Sequence, residues 1–172
     1  RSSAASDVYK RQVLNFAGTV RLGWINISVA SLPVIVGAML YGPVGGLLVG
    51  LLGAFMGQLL TYGVTATTIL WILPQAARGL LVGVYAKHCG YKFSSGQLTL
   101  ALIGTALVVT ALNTGAMYID SVIYNYYSYA YVFGGLVVRI ISGAATAVLM
   151  VFVAPPVVNL LNRSLDTVRT AQ

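Results

Sequence analysis

The sequence predicts an all-α membrane protein built as a bundle of six transmembrane helices. Hydrophobic residues make up 58% of the chain and charged residues only 8%, whereas soluble domains carry about 25% charged residues. Residues 32–60 contain no charge, and further long apolar runs lie C-terminal to them. A helix needs about 20 apolar residues to cross a bilayer core. Long runs, rather than alternation every two residues, favour helices over an outer-membrane barrel.

The chain is expected to divide into three parts. Residues 1–12 (RSSAASDVYKRQ) differ abruptly in composition from the rest of the chain and resemble a translated sequencing adapter. They are therefore predicted to be a non-native segment, neither a signal peptide nor a linker, that replaces the start of a truncated first helix. Residues 13–161 are predicted to form a single integral membrane domain, and residues 162–172 a polar cytoplasmic tail.

Six spans are expected within the membrane domain. They cover approximately residues 13–20, 27–41, 43–60, 67–86, 98–119 and 132–153. The step Gly42-Pro43 predicts a tight turn between the second and third spans, because the residue before a proline is pushed out of the helical region. The third span carries glycines at spacings of three and four, which favours close approach of another helix backbone. These glycines are at positions 42, 46, 50, 53 and 57.

The distribution of basic residues predicts the orientation. Lys87 and Lys92 lie just after the fourth span, and Arg163 and Arg169 just after the sixth. Because cytoplasmic connections carry an excess of Lys and Arg, both termini are expected in the cytoplasm. The connections on the outer side then cover residues 21–26, 61–66 and 120–131. They are rich in Trp, Tyr, Asn and Thr, and such a polar and aromatic opening of a helical bundle is where a small molecule would enter.

The composition excludes several functions. The chain has no glutamate, three aspartates, one histidine and one cysteine, so neither paired catalytic carboxylates nor a cysteine-based metal cluster is expected. The sequence contains no phosphate-binding loop of the GxxxxGK[ST] type. The net charge of +7 is scattered and forms no basic stripe for nucleic acid. We therefore expect no enzyme activity, cofactor, metal or nucleic-acid partner.

Two arginines fall inside predicted spans, Arg78 in the fourth and Arg139 in the sixth. A charge in hydrocarbon costs at least about 2.5–3.5 kcal/mol on insertion scales, so each side chain is expected to face the bundle interior or an interface. One interpretation is a clamp for a ligand carboxylate, which suits the guanidinium fork. The other is structural: Asp120 pairs with Arg139, and helix-end carbonyls or lipid headgroups pair with Arg78.

Polar and aromatic side chains near the outer side also allow two interpretations each. Asn113 and Thr114 in the fifth span are expected to hydrogen-bond a neighbouring helix or a ligand. The tyrosines of residues 124–131 are expected to stack on a flat ring or to form the aromatic belt of a membrane interface.

Four motifs together resemble a known family. The stretch INISVASLPVIVGAMLYGPVGGLLVGLLGAFMG, with RGLLVG, LNT and VVRI further along the chain, resembles the substrate-binding S component of bacterial energy-coupling factor (ECF) vitamin transporters, and within it the folate-type branch. The resemblance covers about residues 22–155. It implies a multi-pass protein of the cell membrane that binds a vitamin, folate or another anionic one, on its outer face. It also implies three partners, a transmembrane coupling protein and two ATPase subunits, which drive uptake.

The resemblance also implies substrate-binding residues by position. These are Trp24, Asn26, Tyr62, Trp71, Arg78, Asn113 and Arg139. The sequence departs from the family in two places: the suspect segment replaces the Ala-xxx-Ala docking face of the first helix, and TTILWILPQAARG differs from the usual folate-type fourth helix.

Other interpretations stay open. The chain is alternatively an S component for another vitamin, such as pantothenate or cobalamin, or a structural or assembly membrane protein. A channel is less favoured, since the sequence has no charged ring or filter repeat. A concave outer pocket with convergent polar groups would favour ligand binding.

Overall fold

The computed structural model describes residues 19–22, 25–28, 30–91 and 95–170. Their order is two short strands and then five helices. The elements are β1 (Thr19–Leu22), β2 (Ile25–Ser28), α1 (Ser31–Tyr62), α2 (Thr68–His88), α3 (Ser95–Ile123), α4 (Tyr129–Phe133) and α5 (Leu136–Thr170).

Helices dominate the described part of the chain, as the sequence predicts. Four stretches are long and apolar enough to cross a membrane: Ser31–Tyr62, Thr68–His88, Gly96–Ile123 and Tyr129–Leu161. Large apolar side chains on them face outward, with Leu100 75% exposed and Phe152 72% exposed, as expected where lipid replaces water around a bundle. The predicted count of six spans is not reached among these residues, and residues 13–18 of the predicted first span lie outside them.

The prediction of helical spans is wrong at residues 19–20 and 27–28, where the first span is expected to end and the second to begin. Strands β1 and β2 pair there antiparallel, with Leu22 opposite Ile25, and the first described helix begins only at Ser31. Apolar and polar residues alternate in both strands (TVRL and INIS), and this period of two, with β-branched residues, favours a strand over a helix. Strand β2 lies against α5.

Helix α1 reverses direction at Gly42, whose φ of 73° lies outside the helical region. A methyl group on Gly37 would lie 3.0 Å from Cγ2 of Val49, although a straight helix would separate these two positions by about 18 Å. The residues before Gly42 (31–41, the N-terminal arm) therefore pack against those after Pro43 (44–62, the C-terminal arm). This confirms the predicted turn. At 1.5 Å per residue the N-terminal arm is only about 16 Å long, about half of a bilayer core.

Glycines bring the C-terminal arm of α1 against α2. A methyl group on Gly46 would collide with the carbonyl of Gly79, and one on Gly83 would lie 2.5 Å from Cα of Pro43. Gly50 similarly lies against the backbone of Gln75. The predicted close approach is thus confirmed at positions 46 and 50. Gly53 and Gly57 have no described atom within 4 Å of an added methyl group.

The apolar core occupies one half of the bundle. Its buried side chains come from the N-terminal arm of α1, the first half of α3 and the later part of α5, together with Val82 of α2. Leu98 is 2% exposed and Met150 1% exposed. This half lies toward the Gly42 turn and the end of α2 at His88. The opposite half, where the connections 63–67 and 124–128 join the helices, is left open for a cavity.

Candidate functional site

A cavity of about 360 Å³ opens at this other end of the bundle. Its lining residues are Gln58, Tyr62, Thr65, Thr67, Trp71, Asp120, Tyr124, Tyr126 and Tyr131, and we call it the aromatic cavity. Ligand pockets in proteins have volumes of about 300–1,000 Å³ and combine apolar or aromatic walls with a few polar groups. The aromatic cavity therefore has the size and the composition to hold a small organic molecule.

Two chain turns bring the walls of the aromatic cavity together. Gly63, with a φ of 75°, ends α1, and the Thr65 amide donates to Oγ1 of Thr68 at 2.7 Å, which fixes the entry into α2. At the end of α3, Asn125 has a φ of 57°, and the amide of Tyr126 donates to the carbonyl of Ser121. This left-handed turn directs Tyr126 back toward the last turn of α3, where Asp120 lies.

Asp120 is the centre of the hydrogen bonding in the aromatic cavity. Its Oδ1 accepts from Thr67 Oγ1 at 2.5 Å and from Trp71 Nε1 at 3.4 Å, and its Oδ2 accepts from the hydroxyl of Tyr126. Asp120 is only 8% exposed. A buried charge is costly unless hydrogen bonds compensate it, and these three donors do so.

The phenol of Tyr126 is held in its neutral form. Its hydrogen bond to Asp120, together with burial, raises the pKa of Tyr126 above its ordinary value. The ring of Tyr126 also packs edge-on against Tyr131, with centroids 5.4 Å apart and an interplanar angle of 81°. Tyr126 therefore acts as a donor to Asp120 and as part of an aromatic wall.

The walls of the aromatic cavity carry one formal charge. Among its described lining residues Asp120 is an anion at neutral pH, and the remaining side chains are neutral amides, hydroxyls and aromatic rings. Aromatic faces carry a partial negative charge as well. The cavity thus combines flat aromatic surfaces with a negative electrostatic environment.

Arg78 faces a different, much smaller cavity. This cavity has a volume of about 20 Å³, and its polar lining includes Ser31, Thr105 and Thr146. Nη1 of Arg78 is buried and has no hydrogen-bond partner among the described residues. A space of this volume holds about one water molecule, so a vitamin does not fit into it.

The guanidinium of Arg139 contacts residues of the neighbouring helices α3 and α4. Its Nη1 donates to Thr114 Oγ1 at 3.3 Å and lies 2.9 Å from Met117 Sδ, while Nη2 donates to the carbonyl of Val132. The expected structural pair between Asp120 and Arg139 is therefore wrong. Asp120 accepts hydrogen bonds from Thr67, Trp71 and Tyr126 instead. The guanidinium of Arg139 donates to the hydroxyl of Thr114 and to the carbonyl of Val132.

The structure brings together two of the seven predicted binding residues: Tyr62 and Trp71 line the aromatic cavity. Arg78 and Arg139 lie apart from it. Asn113 is half-buried and lines neither cavity. Trp24 lies outside the described residues, and Asn26 belongs to β2, where its backbone position is opposite Arg21.

Asp120 and Thr67 are cavity residues that the sequence prediction did not include. One signal in the sequence indicates Asp120, because it is the only acid inside the predicted membrane domain, and an ionisable residue within a membrane segment is by default a candidate functional residue. Thr67 gives no comparable signal, since threonine is common at the start of helices.

The sequence matches the model of one protein family, the ECF transporter substrate-specific component, over residues 12–158. No curated protein matches the chain. The family match covers most of the chain and agrees with the apolar helices around an open cavity. This chain therefore belongs to the family of substrate-specific components of ECF transporters.

Proposed function

We propose that the chain binds a vitamin in the aromatic cavity, on the outer face of the cell membrane, for ATP-driven uptake by partner subunits. The observation that supports this role is the cavity itself: about 360 Å³ of space between aromatic walls, with a hydrogen-bonded carboxylate at one side. Tyr62 and Trp71, two residues assigned to the substrate by the resemblance, belong to those walls.

The energy for uptake comes from other subunits in this proposal. Substrate-specific components act with further ECF subunits, and the proposed partners are a transmembrane coupling protein and two ATPases. The absence of a phosphate-binding loop from the sequence supports this division of labour. The positive-inside rule supports an orientation with Lys87 in the cytoplasm and the aromatic cavity at the outer face.

Folate or another anionic vitamin is the ligand that the sequence favours, with pantothenate and cobalamin as alternatives. The flat ring of folate suits the aromatic walls, whereas its carboxylates need cations that the described lining of the cavity does not supply. Ligand contacts of Arg78, Asn113 and Arg139 therefore stay predictions, as do those of Trp24 and Asn26.

The competing function is that of a structural or assembly membrane protein. Such a protein would fill the space between its helices with side chains, because protein interiors are closely packed. An open cavity with a charged side chain in its wall favours ligand binding over assembly.

The test is a vitamin panel titrated against the purified full chain in lipid nanodiscs. Folate, pantothenate, cobalamin, riboflavin, thiamin and biotin are screened by thermal shift and then by calorimetry. A ligand at a hundred times its Kd stabilises the folded state by about 2.7 kcal/mol, so we expect one vitamin to raise the Tm clearly. If none of the six vitamins binds, the result would favour the structural or assembly function.

Variants link this binding to the aromatic cavity. We expect Tyr62→Ala to weaken binding of the stabilising vitamin about tenfold, because base–aromatic stacking is worth about 1–3 kcal/mol per ring. Tyr41→Ala is the matched control: Tyr41 is 65% exposed and Tyr62 71% exposed, and both lie on α1, but Tyr41 is next to the Gly42 turn. Equal losses in both variants would argue against the cavity as the binding site.

A further inference from the structure

The charge of the aromatic cavity indicates which part of a ligand it recognises. Its one formal charge among the described lining residues is negative, and both arginines assigned to an anionic ligand lie elsewhere. We propose that Asp120 accepts hydrogen bonds from an amino-substituted, nitrogen-containing aromatic ring held between the tyrosine and tryptophan side chains. This inference rests on the proposed function, because it names the ligand class of that same site.

Asp120 has acceptor capacity left for such a ring. A carboxylate offers about four acceptor positions, of which Thr67 and Trp71 use two at Oδ1 and Tyr126 uses one at Oδ2. One position at Oδ2 therefore remains. The bond from the Trp71 indole is 3.4 Å long, which is beyond the usual range for N–H···O bonds and easily exchanged.

An amino group next to a ring N–H matches this arrangement. Such an edge presents two parallel donors, and two parallel N–H···O bonds to one carboxylate add both strength and geometric specificity. The amino group would bind at the free position of Oδ2, and the ring N–H would replace the long indole bond at Oδ1. A ring with a carbonyl in place of the amino group would instead set an acceptor against the carboxylate.

The walls of the cavity support the same class of ligand. Tyr126 and Tyr131 present aromatic surfaces beside Asp120, and aromatic faces attract flat rings and positively charged groups. An anionic group next to the buried carboxylate would be repelled, because the described lining offers no opposing charge to compensate it. Any carboxylate of the ligand is therefore expected to point away from Asp120.

A pair of ring probes tests this recognition directly. Pterin (2-amino-4-oxopteridine) and lumazine (2,4-dioxopteridine) share one ring skeleton and differ in whether position 2 carries an amino group or a carbonyl. Both are titrated against the full chain in nanodiscs. We expect pterin to bind at least tenfold more tightly than lumazine. Equal affinities, or tighter binding of lumazine, would overturn the inference.

Variants of the carboxylate and its donor complete the test. We expect Asp120→Asn to weaken binding of pterin at least tenfold and to bring the two probes within about threefold of each other. Tyr126→Phe keeps the carboxylate and frees an acceptor position, so the preference for pterin should persist. If Asp120→Asn does not fold, as judged by circular dichroism and gel filtration, the ratio of the two probes on the wild-type chain decides the question.

The vitamin panel separates failure of this inference from failure of the proposed function. Binding of a vitamin without an amino-substituted ring, such as pantothenate, riboflavin or biotin, would leave the transport role standing and overturn the inference. The same holds if folate or thiamin binds but Asp120→Asn leaves its affinity unchanged. If neither the vitamins nor the probes bind, the proposed function and the inference both fail.

Discussion

Thr67 Oγ1 lies 2.5 Å from Asp120 Oδ1, and this hydrogen bond joins two residues 53 positions apart in the sequence. Thr67 precedes the first residue of α2, and Asp120 is in the last turn of α3. Both side chains are buried, with exposures of 1% and 8%. The bond therefore holds α2 and α3 together beside the aromatic cavity, at the end of the bundle that the apolar core does not fill.

Thr67→Val tests this connection, since valine keeps the shape of threonine and lacks its hydroxyl. Hydrogen bonds to charged groups contribute about 1.5–3 kcal/mol, so we expect the free energy of unfolding to fall by about that amount and vitamin binding to weaken. Denaturation monitored by circular dichroism measures the first effect. Thr65→Val is the control, because the described partners of Thr65 are Thr67 and Thr68 rather than Asp120. Equal destabilisation by both variants would contradict this role of Thr67.

Features set by local chemistry could be predicted from the sequence. The Gly42-Pro43 turn results from the steric effect of proline on the residue before it, and the packing of Gly46 on α2 results from the spacing of small residues. The hairpin of β1 and β2 is not predicted from the sequence, because Val20 and Ile27 fall in apolar runs assigned to helical spans, and Leu22 and Ile25 fall in the turn expected between them. Their alternation with polar residues is the signal that would have separated strand from helix.

The candidate site was predicted only in part, for a physical reason. Tyr62 and Trp71 were assigned by position and do line the aromatic cavity. The role of Asp120 depends on donors from α2 and from the connection after α3, and sequence spacing does not reveal such long-range hydrogen bonds. From charge alone, a pair of Asp120 with Arg139 is therefore one of the two interpretations that the sequence offers. The structure gives each of them other partners.

The pKa of Tyr126 predicts how stability depends on pH. The hydrogen bond to Asp120 raises this pKa in the folded state above its ordinary value of 10.0. A raised pKa in the folded state contributes stability that is fully present below the ordinary pKa and is lost as the pH rises above it. We therefore expect the Tm of the wild type to fall more steeply above about pH 10 than that of Tyr126→Phe.

Tyr127→Phe is the matched control for this pH dependence. Tyr127 is a neighbouring tyrosine that packs edge-on against Tyr118, and Asp120 accepts from Tyr126 rather than from Tyr127. Tyr127→Phe should keep the steep alkaline loss of the wild type, and Tyr126→Phe should reduce it. Parallel curves for all three proteins above about pH 10 would show that the hydrogen bond does not carry the effect.

Gly46→Ala should disrupt the contact between α1 and α2. A methyl group at this position collides with the backbone carbonyl of Gly79, and a backbone atom moves less easily than a side-chain end. Overpacking of this kind costs about 1–3 kcal/mol, measured as a fall in Tm of the protein in detergent. Gly53→Ala is the control on the same arm of α1, because an added methyl group there meets no described atom within 4 Å. If Gly53→Ala lowers the Tm by a similar amount, the effect comes from packing against lipid and not from the contact between α1 and α2.

Arg78→Met tests the role of a buried cation that lacks a described partner. Nη1 of Arg78 is unpaired among the described residues, in a cavity of about 20 Å³. A buried charge costs free energy unless it is paired and hydrogen-bonded, and an apolar side chain of similar length removes that cost. We therefore expect an unchanged or higher Tm, whereas Arg139→Met should lower the Tm because it removes the bonds to Thr114 and Val132.

The same variant decides whether Arg78 contacts the ligand. Arg78 lies seven residues after Trp71 on α2, about 10 Å along the helix axis, and it lines a separate cavity. We expect Arg78→Met to leave the affinities for pterin and for folate within about threefold of the wild type. A tenfold loss for folate alone would instead show that Arg78 binds a ligand carboxylate, which is one of the two interpretations of the sequence, because pterin lacks the carboxylates that folate carries. A tenfold loss for both would indicate that removal of the charge disturbs the aromatic cavity through α2.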